Sequence, residues 1–109
     1  MGKKKNGKPP VHPGKILLEG YMKERNIGIS EMGEALGISR NQISGIVNGR
    51  KCITTQTAIK LADVTGSPAQ LWLNLQNRYD IWHQNKAMSK SARKRLSRFH
   101  REFEQRYAG

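Results

Sequence analysis

Acid is scarce in this chain. Of 109 residues, 20 are Lys or Arg and only eight are Asp or Glu, a formal net charge of +12. The shortage is uneven. Residues 1–15 hold five Lys and no acid, residues 86–109 hold eight Lys/Arg against two Glu, and the stretch between is nearly balanced at seven against six. Polycationic ends on a balanced middle suit a polyanion, most often nucleic acid, or else serve only as solvated tails. From residue 35 to residue 62 there is no acid at all.

Other absences exclude whole classes. The single Cys52 rules out an internal disulfide and fits a reducing cytoplasm. No run of 18 apolar residues exists, so no membrane-spanning helix is expected. The opening "MGKKKNGKPP" lacks the apolar stretch of a signal peptide, and Asn6 stands where a myristoylation signal needs Ser or Thr. A cytoplasmic protein without membrane contact is the expectation. His12, His83 and His100 lie far apart, and Cys52 has no second Cys, so no metal ligand set is expected. Asp80 and His83 could touch as a surface pair on one helix. Neither a Gly-rich phosphate loop nor a nucleophile motif occurs. No enzyme, catalytic residue or cofactor is expected.

What is present is helix, punctuated by Gly and Pro. Residues 1–12, made largely of Lys, Gly and Pro, read as a flexible basic arm. Pro13 suits a first helical turn, and His12 helps begin it. Ile16, Leu17, Leu18, Tyr21 and Met22 follow at helical spacing. Ser30 is the expected N-cap of a second helix that ends at Gly37. Ser39 caps a third, Gln42 completes its capping box, and Asn48-Gly49 ends it. Thr54 begins a fourth, with Ala58, Leu61, Ala62 and Val64/Thr65 inward, and Gly66 stops it. Ser67-Pro68-Ala69-Gln70 reads as another capping box, opening a fifth helix that reaches about Trp82.

The fifth helix places Leu71, Leu75, Tyr79 and Trp82 on one face, with Trp72, Leu73 and Ile81 beside it. These aromatics read as core or dimer interface rather than as a base-stacking platform. A domain this small, without disulfide or metal, gains from dimerising. Leu75, Tyr79 and Trp82 are the expected interface. After a polar break, Ala92, Leu96, Phe99, Phe103 and Tyr107 stripe a further helix carrying Lys90, Arg93, Lys94, Arg95, Arg98 and Arg101 on its other sides. Such a helix is marginal alone in water. Its stripe is expected to pack on the chain's own domain or a dimer mate, leaving the cations outward. The reading is all-α: an arm at 1–12, a domain at 13–85 and an amphipathic C-terminal helix within 86–109.

The second and third helices are joined only by Gly37 and Ile38, which forces a sharp crossing. Gly33 supplies a small residue at the contact, and Ile38, Ile43, Ile46 and Val47 supply the apolar side. Arg40, Asn41, Ser44, Gly45 and Asn48 are left on the outer face of the third helix. In a helix-turn-helix protein that face meets base edges in the major groove. Arg suits guanine and Asn suits adenine, each by two parallel hydrogen bonds. Gly45 is expected to let the backbone approach the duplex, and Arg50 and Lys51 to meet phosphates. The candidate DNA-binding set is Ser39, Arg40, Asn41, Gln42, Ser44, Gly45, Asn48, Arg50 and Lys51.

Three ordered blocks, "HPGKILLEGYM", "LGISRNQISGIVNGRKCIT" and "TAIKLADVTGSPAQLWLNLQNRYDIW", closely resemble the HigA (VapI-type) antitoxins across about residues 11–83. The resemblance implies a five-helix, lambda-repressor-like helix-turn-helix domain and a dimeric repressor of its own operon, hence a palindromic double-stranded operator. It also implies a partner, a HigB toxin of the RelE-like ribonuclease type. The family's DNA-reading segment falls on Ser39, Arg40, Asn41 and Ser44, with backbone contacts near Asn48, Arg50 and Lys51. Lys15 departs from the Glu common after His-Pro-Gly, Gly20 interrupts the first helix, and the C-terminal helix is long for the type. Two rivals remain open: a stand-alone helix-turn-helix regulator, and a basic RNA-binding or packaging protein acting through its ends.

Overall fold

Every regular element among residues 8–108, the part described by the computed structural model, is helical. Most of the N-terminal arm lies outside the described residues. In chain order the helices are α1 (Pro13–Leu17), α2 (Ile29–Leu36), α3 (Arg40–Val47), α4 (Thr55–Thr65), α5 (Ala69–Ala87) and α6 (Lys90–Ala108). Between α1 and α2 the helix continues first as a wide π turn, Leu18–Met22, and then as a tight 3-10 turn, Lys23–Arg25. Gly20, expected to interrupt the helix, sits inside the wide turn. The segment stops at Asn26, which adopts the left-handed conformation at φ 56°.

The domain begins at His12, one residue inside the stretch expected to be arm. His12 is buried, and its Nδ1 accepts from the Gly14 N–H at 2.9 Å, capping α1. Gly14 then presses on α3: a Cβ there would stand 1.7 Å from the Ile46 carbonyl oxygen. No side chain fits. Around this contact Leu17, Met22, Met32, Leu36, Ile43, Ile46, Val47, Ile53, Ala58, Leu61 and Trp72 form one apolar core.

Two expected caps are corrected. Gly28, not Ser30, is the N-cap of α2, and Ser30 lies in its first turn. Pro68, not Ser67, precedes α5, and no side chain caps that helix. Ser67 Oγ instead lies 2.6 Å from Thr65 Oγ1 and accepts from the Trp72 indole N–H at 3.2 Å. A buried indole needs an acceptor, and that need uses the hydroxyl. The buried row of α5 lies beside the face expected to serve as core or dimer interface. Trp72 and Gln76 are buried, while Leu71 and Ile81 are exposed. Gln76 belongs inside because its Oε1 accepts from the Ile53 N–H at 2.8 Å.

The break after Trp82 is shorter than expected. α5 runs five residues further, to Ala87, and turns only at Met88 and Ser89. Ser89 Oγ accepts from the Ala92 N–H and opens α6. Packing of the α6 stripe on the chain's own domain is contradicted: none of its residues is buried, and Leu96 and Phe103 are each 53% exposed. The radius of gyration is 18.6 Å, against about 13 Å for a compact domain of this length. α6 stands off the domain.

Candidate nucleic-acid interface

The crossing of α2 and α3 fixes which side of α3 faces out. Gly37 is left-handed at φ 69°, its N–H donates to the Glu34 carbonyl, and the Ile38 N–H donates to the Gly33 carbonyl at 2.9 Å. That pair of bonds ends α2 and reverses the chain within two residues. A Cβ on Gly33 would come within 3.2 Å of both Ile38 O and Ile43 Cγ2, so the helices meet backbone to side chain there. With Ile43, Ile46 and Val47 buried, the opposite face of α3 is left to solvent.

At the start of α3 the capping box is complete. Ser39 Oγ accepts from the Gln42 N–H at 3.1 Å, and Gln42 Oε1 accepts from the Ser39 N–H at 3.3 Å. These bonds occupy acceptor atoms of both side chains, leaving the Gln42 amide and the Ser39 hydroxyl proton as the groups free to donate outward. Arg40 is exposed, and its guanidinium donates back to Ser30 Oγ on α2. Asn41 is exposed on the next position. Asn48 is folded back, its Nδ2 donating to the Ser44 carbonyl at 2.8 Å, and Ser44 is half-buried beneath it.

Gly45 is corrected. It is buried, so its backbone does not lie open to a duplex. A Cβ on it would meet Lys51 Cγ at 2.7 Å and Cδ at 2.8 Å. The Gly45 carbonyl also accepts from the N–H groups of Arg50 at 2.7 Å and Lys51 at 3.0 Å. Gly45 is thus the seat on which the aliphatic stem of Lys51 lies along α3. Spacing alone could not reveal this, because the residue covering Gly45 comes from the loop six positions on.

The loop carrying Arg50 and Lys51 is braced from below by residues the sequence reading left out of the site. The His12 ring lies 3.7 Å from the Cβ position of Gly49 and touches the Lys51 backbone. Tyr79 meets His12 edge-on, ring centroids 4.8 Å apart, and stacks obliquely on His83 at 4.3 Å. Burial pushes the His12 imidazole below its usual range, against the smaller pulls of Asp80 and the Lys51 backbone. Asp80 does not pair with His83 as expected; its Oδ1 accepts from Gln76 Nε2 at 3.0 Å. Thr54, Gln56, Thr57 and Lys60 border the same surface depression as Gln42 and Lys51. Only the acid-free run from 35 to 62 hinted that the start of α4 shares this face.

Of the residues expected at a dimer interface, Tyr79 is already engaged by His12, and Lys86 lies over the half-buried Trp82 ring at 5.2 Å. Leu75 lines a groove with Pro9, Pro10, Val11 and Ile16.

The helix pair with its exposed polar face is matched by known proteins. Residues 18–72 fit the family described as Helix-turn-helix. Virulence-associated protein I of Dichelobacter nodosus is 40% identical over 77 residues, 71% of each chain. Antitoxin HigA-1 of Vibrio cholerae is 34% identical over 79 residues, 72% of this chain and 74% of its own. The Pseudomonas aeruginosa antitoxin HigA, solved with the higBA promoter, superposes with a TM-score of 0.70 at 32% identity, over 72% of this chain and 85% of its own. The chain belongs to the HigA family of helix-turn-helix antitoxins. Its fold is accordingly the lambda-repressor-like all-α domain, and the α2–α3 pair is the helix-turn-helix of a HigA-type DNA-binding protein. No helix among the described residues is long and apolar enough to cross a membrane.

Proposed function

We propose that the chain is a dimeric autorepressor antitoxin, which reads a palindromic operator through α3 and neutralises a HigB/RelE-like ribonuclease. One observation carries the DNA half: Arg40, Asn41 and Asn48 stand exposed on the outer face of α3, with Ser44 among them and Lys51 laid along its edge. Arg40 and Asn41 can each make paired hydrogen bonds to a purine edge. Arg50 and Lys51 fix the helix on the phosphates. The toxin half is supported by the HigA name of the relatives and rests on them alone. Leu75, Tyr79 and Trp82 on α5 form the proposed interface between protomers, and Leu75 and Trp82 are the two whose apolar surface is not committed to His12.

The experiment is a titration of the purified protein against duplex from upstream of its own gene and against random duplex. Two recognition helices related by a twofold axis meet the groove about 34 Å apart. The protected sequence should therefore be an inverted repeat with half-sites about 10 bp apart, bound by two protomers. Leu75→Asp or Trp82→Asp should abolish the dimer and operator binding together. Equal affinity for both duplexes, or full protection of a palindrome by a monomer, refutes the reading. Co-expression with the neighbouring reading frame tests the toxin half by co-purification.

A further inference from the structure

The second cationic element of the molecule is α6, and its charge is ordered. At 3.6 residues per turn, Lys90, Lys94, Arg98 and Arg101 fall on one line along the helix, opposite the line of Ala92, Leu96, Phe99 and Phe103. Glu102 and Glu104, the helix's two acids, lie off the stripe on either flank. Off the stripe, Arg93 Nη2 donates to the Asn85 carbonyl and side chain at 3.3 and 3.2 Å, Arg95 lies over the Phe99 ring at 5.4 Å, and Arg106 lies over Phe103 at 5.5 Å. Within the stripe Arg98 also lies over the Phe99 ring, at 5.5 Å. The only ion pairs among the described residues are Lys23–Glu19 and Arg25–Glu24, both in the first helical segment. No carboxylate neutralises the stripe. Like charges four residues apart on a helix repel, so a solvated stripe of this kind is mildly self-destabilising and is relieved by a polyanion.

Its position adds a second reason. Gln76 and Tyr79 hold α5 against the Gly49–Ile53 loop that presents Arg50 and Lys51 and against His12 beneath it, and His83 stacks on Tyr79 one turn further along α5. Lys90 follows His83 by seven residues: about 6 Å of helix to the end of α5 at Ala87, and then the Met88–Ser89 turn. From Lys90 to Arg101 the stripe runs about 16 Å, the axial span of roughly five phosphates on one strand of a duplex.

We infer that the Lys90–Lys94–Arg98–Arg101 stripe of α6 is a second, sequence-independent DNA contact, which grips the phosphate backbone of the duplex whose bases α3 reads. This rests on the proposed operator binding. Its occupant is duplex DNA because the stripe is linear and evenly charged, and because it presents no aromatic residue on which a single-stranded base could stack.

The test replaces all four residues with Gln in the full-length protein and titrates 30-bp upstream and random duplexes across a salt series. Gln keeps helix propensity, the side chains are exposed and the like-charge repulsion is removed, so the melting temperature should not fall. Both duplexes should lose affinity by the same factor, leaving their ratio intact. The slope of log affinity against log salt should become shallower by about three to four per protomer. A second variant, Lys90→Arg, Lys94→Arg, Arg98→Lys and Arg101→Lys, should restore the parent's slope. An unchanged slope in the Gln variant overturns the inference. So does a loss confined to single-stranded RNA of equal length or to anionic phosphatidylserine vesicles, with duplex binding intact. A parent that does not prefer the upstream duplex sinks the operator reading instead, and a shallower slope on random duplex would still support the stripe.

Discussion

Glycine at 14 and glycine at 20 are the same residue under opposite constraints. A methyl group at Gly14 would overlap the Ile46 carbonyl, backbone that cannot swing away, whereas nothing lies within 4 Å of the Cβ position at Gly20. Gly14→Ala should therefore cost roughly 3 kcal/mol, at the upper end of overpacking effects. Gly20→Ala should be neutral or gain up to about 1 kcal/mol from reduced freedom of the unfolded chain. Urea melts of the two variants decide it, and comparable losses would mean α1 does not rest on α3 as described. His12 makes a second prediction. Its folded-state pKa is lowered, chiefly by burial, so the unfolded chain binds a proton more readily. Its contribution to stability is full above the unfolded value of 6.5, declines as pH falls toward the folded value, and levels off below that. His12→Asn replaces the Nδ1 acceptor with an amide oxygen that can cap the same N–H, without the titration. Melting temperatures from pH 8 to pH 5 should fall more for the parent than for the variant; parallel curves would remove His12 as the titrating group.

Among the elements, what the sequence made legible was whatever is written locally. Ser39 with Gln42, Thr54, and the stops at Gly37, Gly49 and Gly66 lie where their side-chain chemistry put them. What was hidden depends on distant partners. Ser67 leaves its expected cap because the Trp72 indole needs an acceptor, and Gln76 enters the core because Ile53 has a free N–H. In the site, exposure of Arg40, Asn41 and Asn48 followed from the period of α3, but the covering of Gly45 by Lys51 and the brace of His12 and Tyr79 did not. For α6 the amphipathic pattern was plain while its resting place was not: its stripe does not lie on the chain's own domain. The proposed remaining cover is the dimer mate. Phe99→Asp with Phe103→Asp should then lower the melting temperature only at concentrations where the parent is dimeric. Loss at every concentration would place the stripe back on its own domain, and no loss at any would leave it in water.

On the scale of the molecule, the work is proposed to divide between a nearly neutral five-helix domain that reads the duplex and a detached basic helix that adds charge. Base reading should reside in α3 and non-specific affinity in the stripe of α6 with Arg50 and Lys51, because phosphate contacts carry no sequence information. The central claim is that the outer face of α3 touches base edges. It is tested most directly by replacing each guanine of the operator in turn with 7-deazaguanine, which lacks the N7 acceptor. The parent should lose affinity by about 1–3 kcal/mol at the guanine opposite Arg40, and Arg40→Ala should be insensitive to the replacement there while keeping the parent's response elsewhere. Identical losses for parent and variant at every guanine would contradict it.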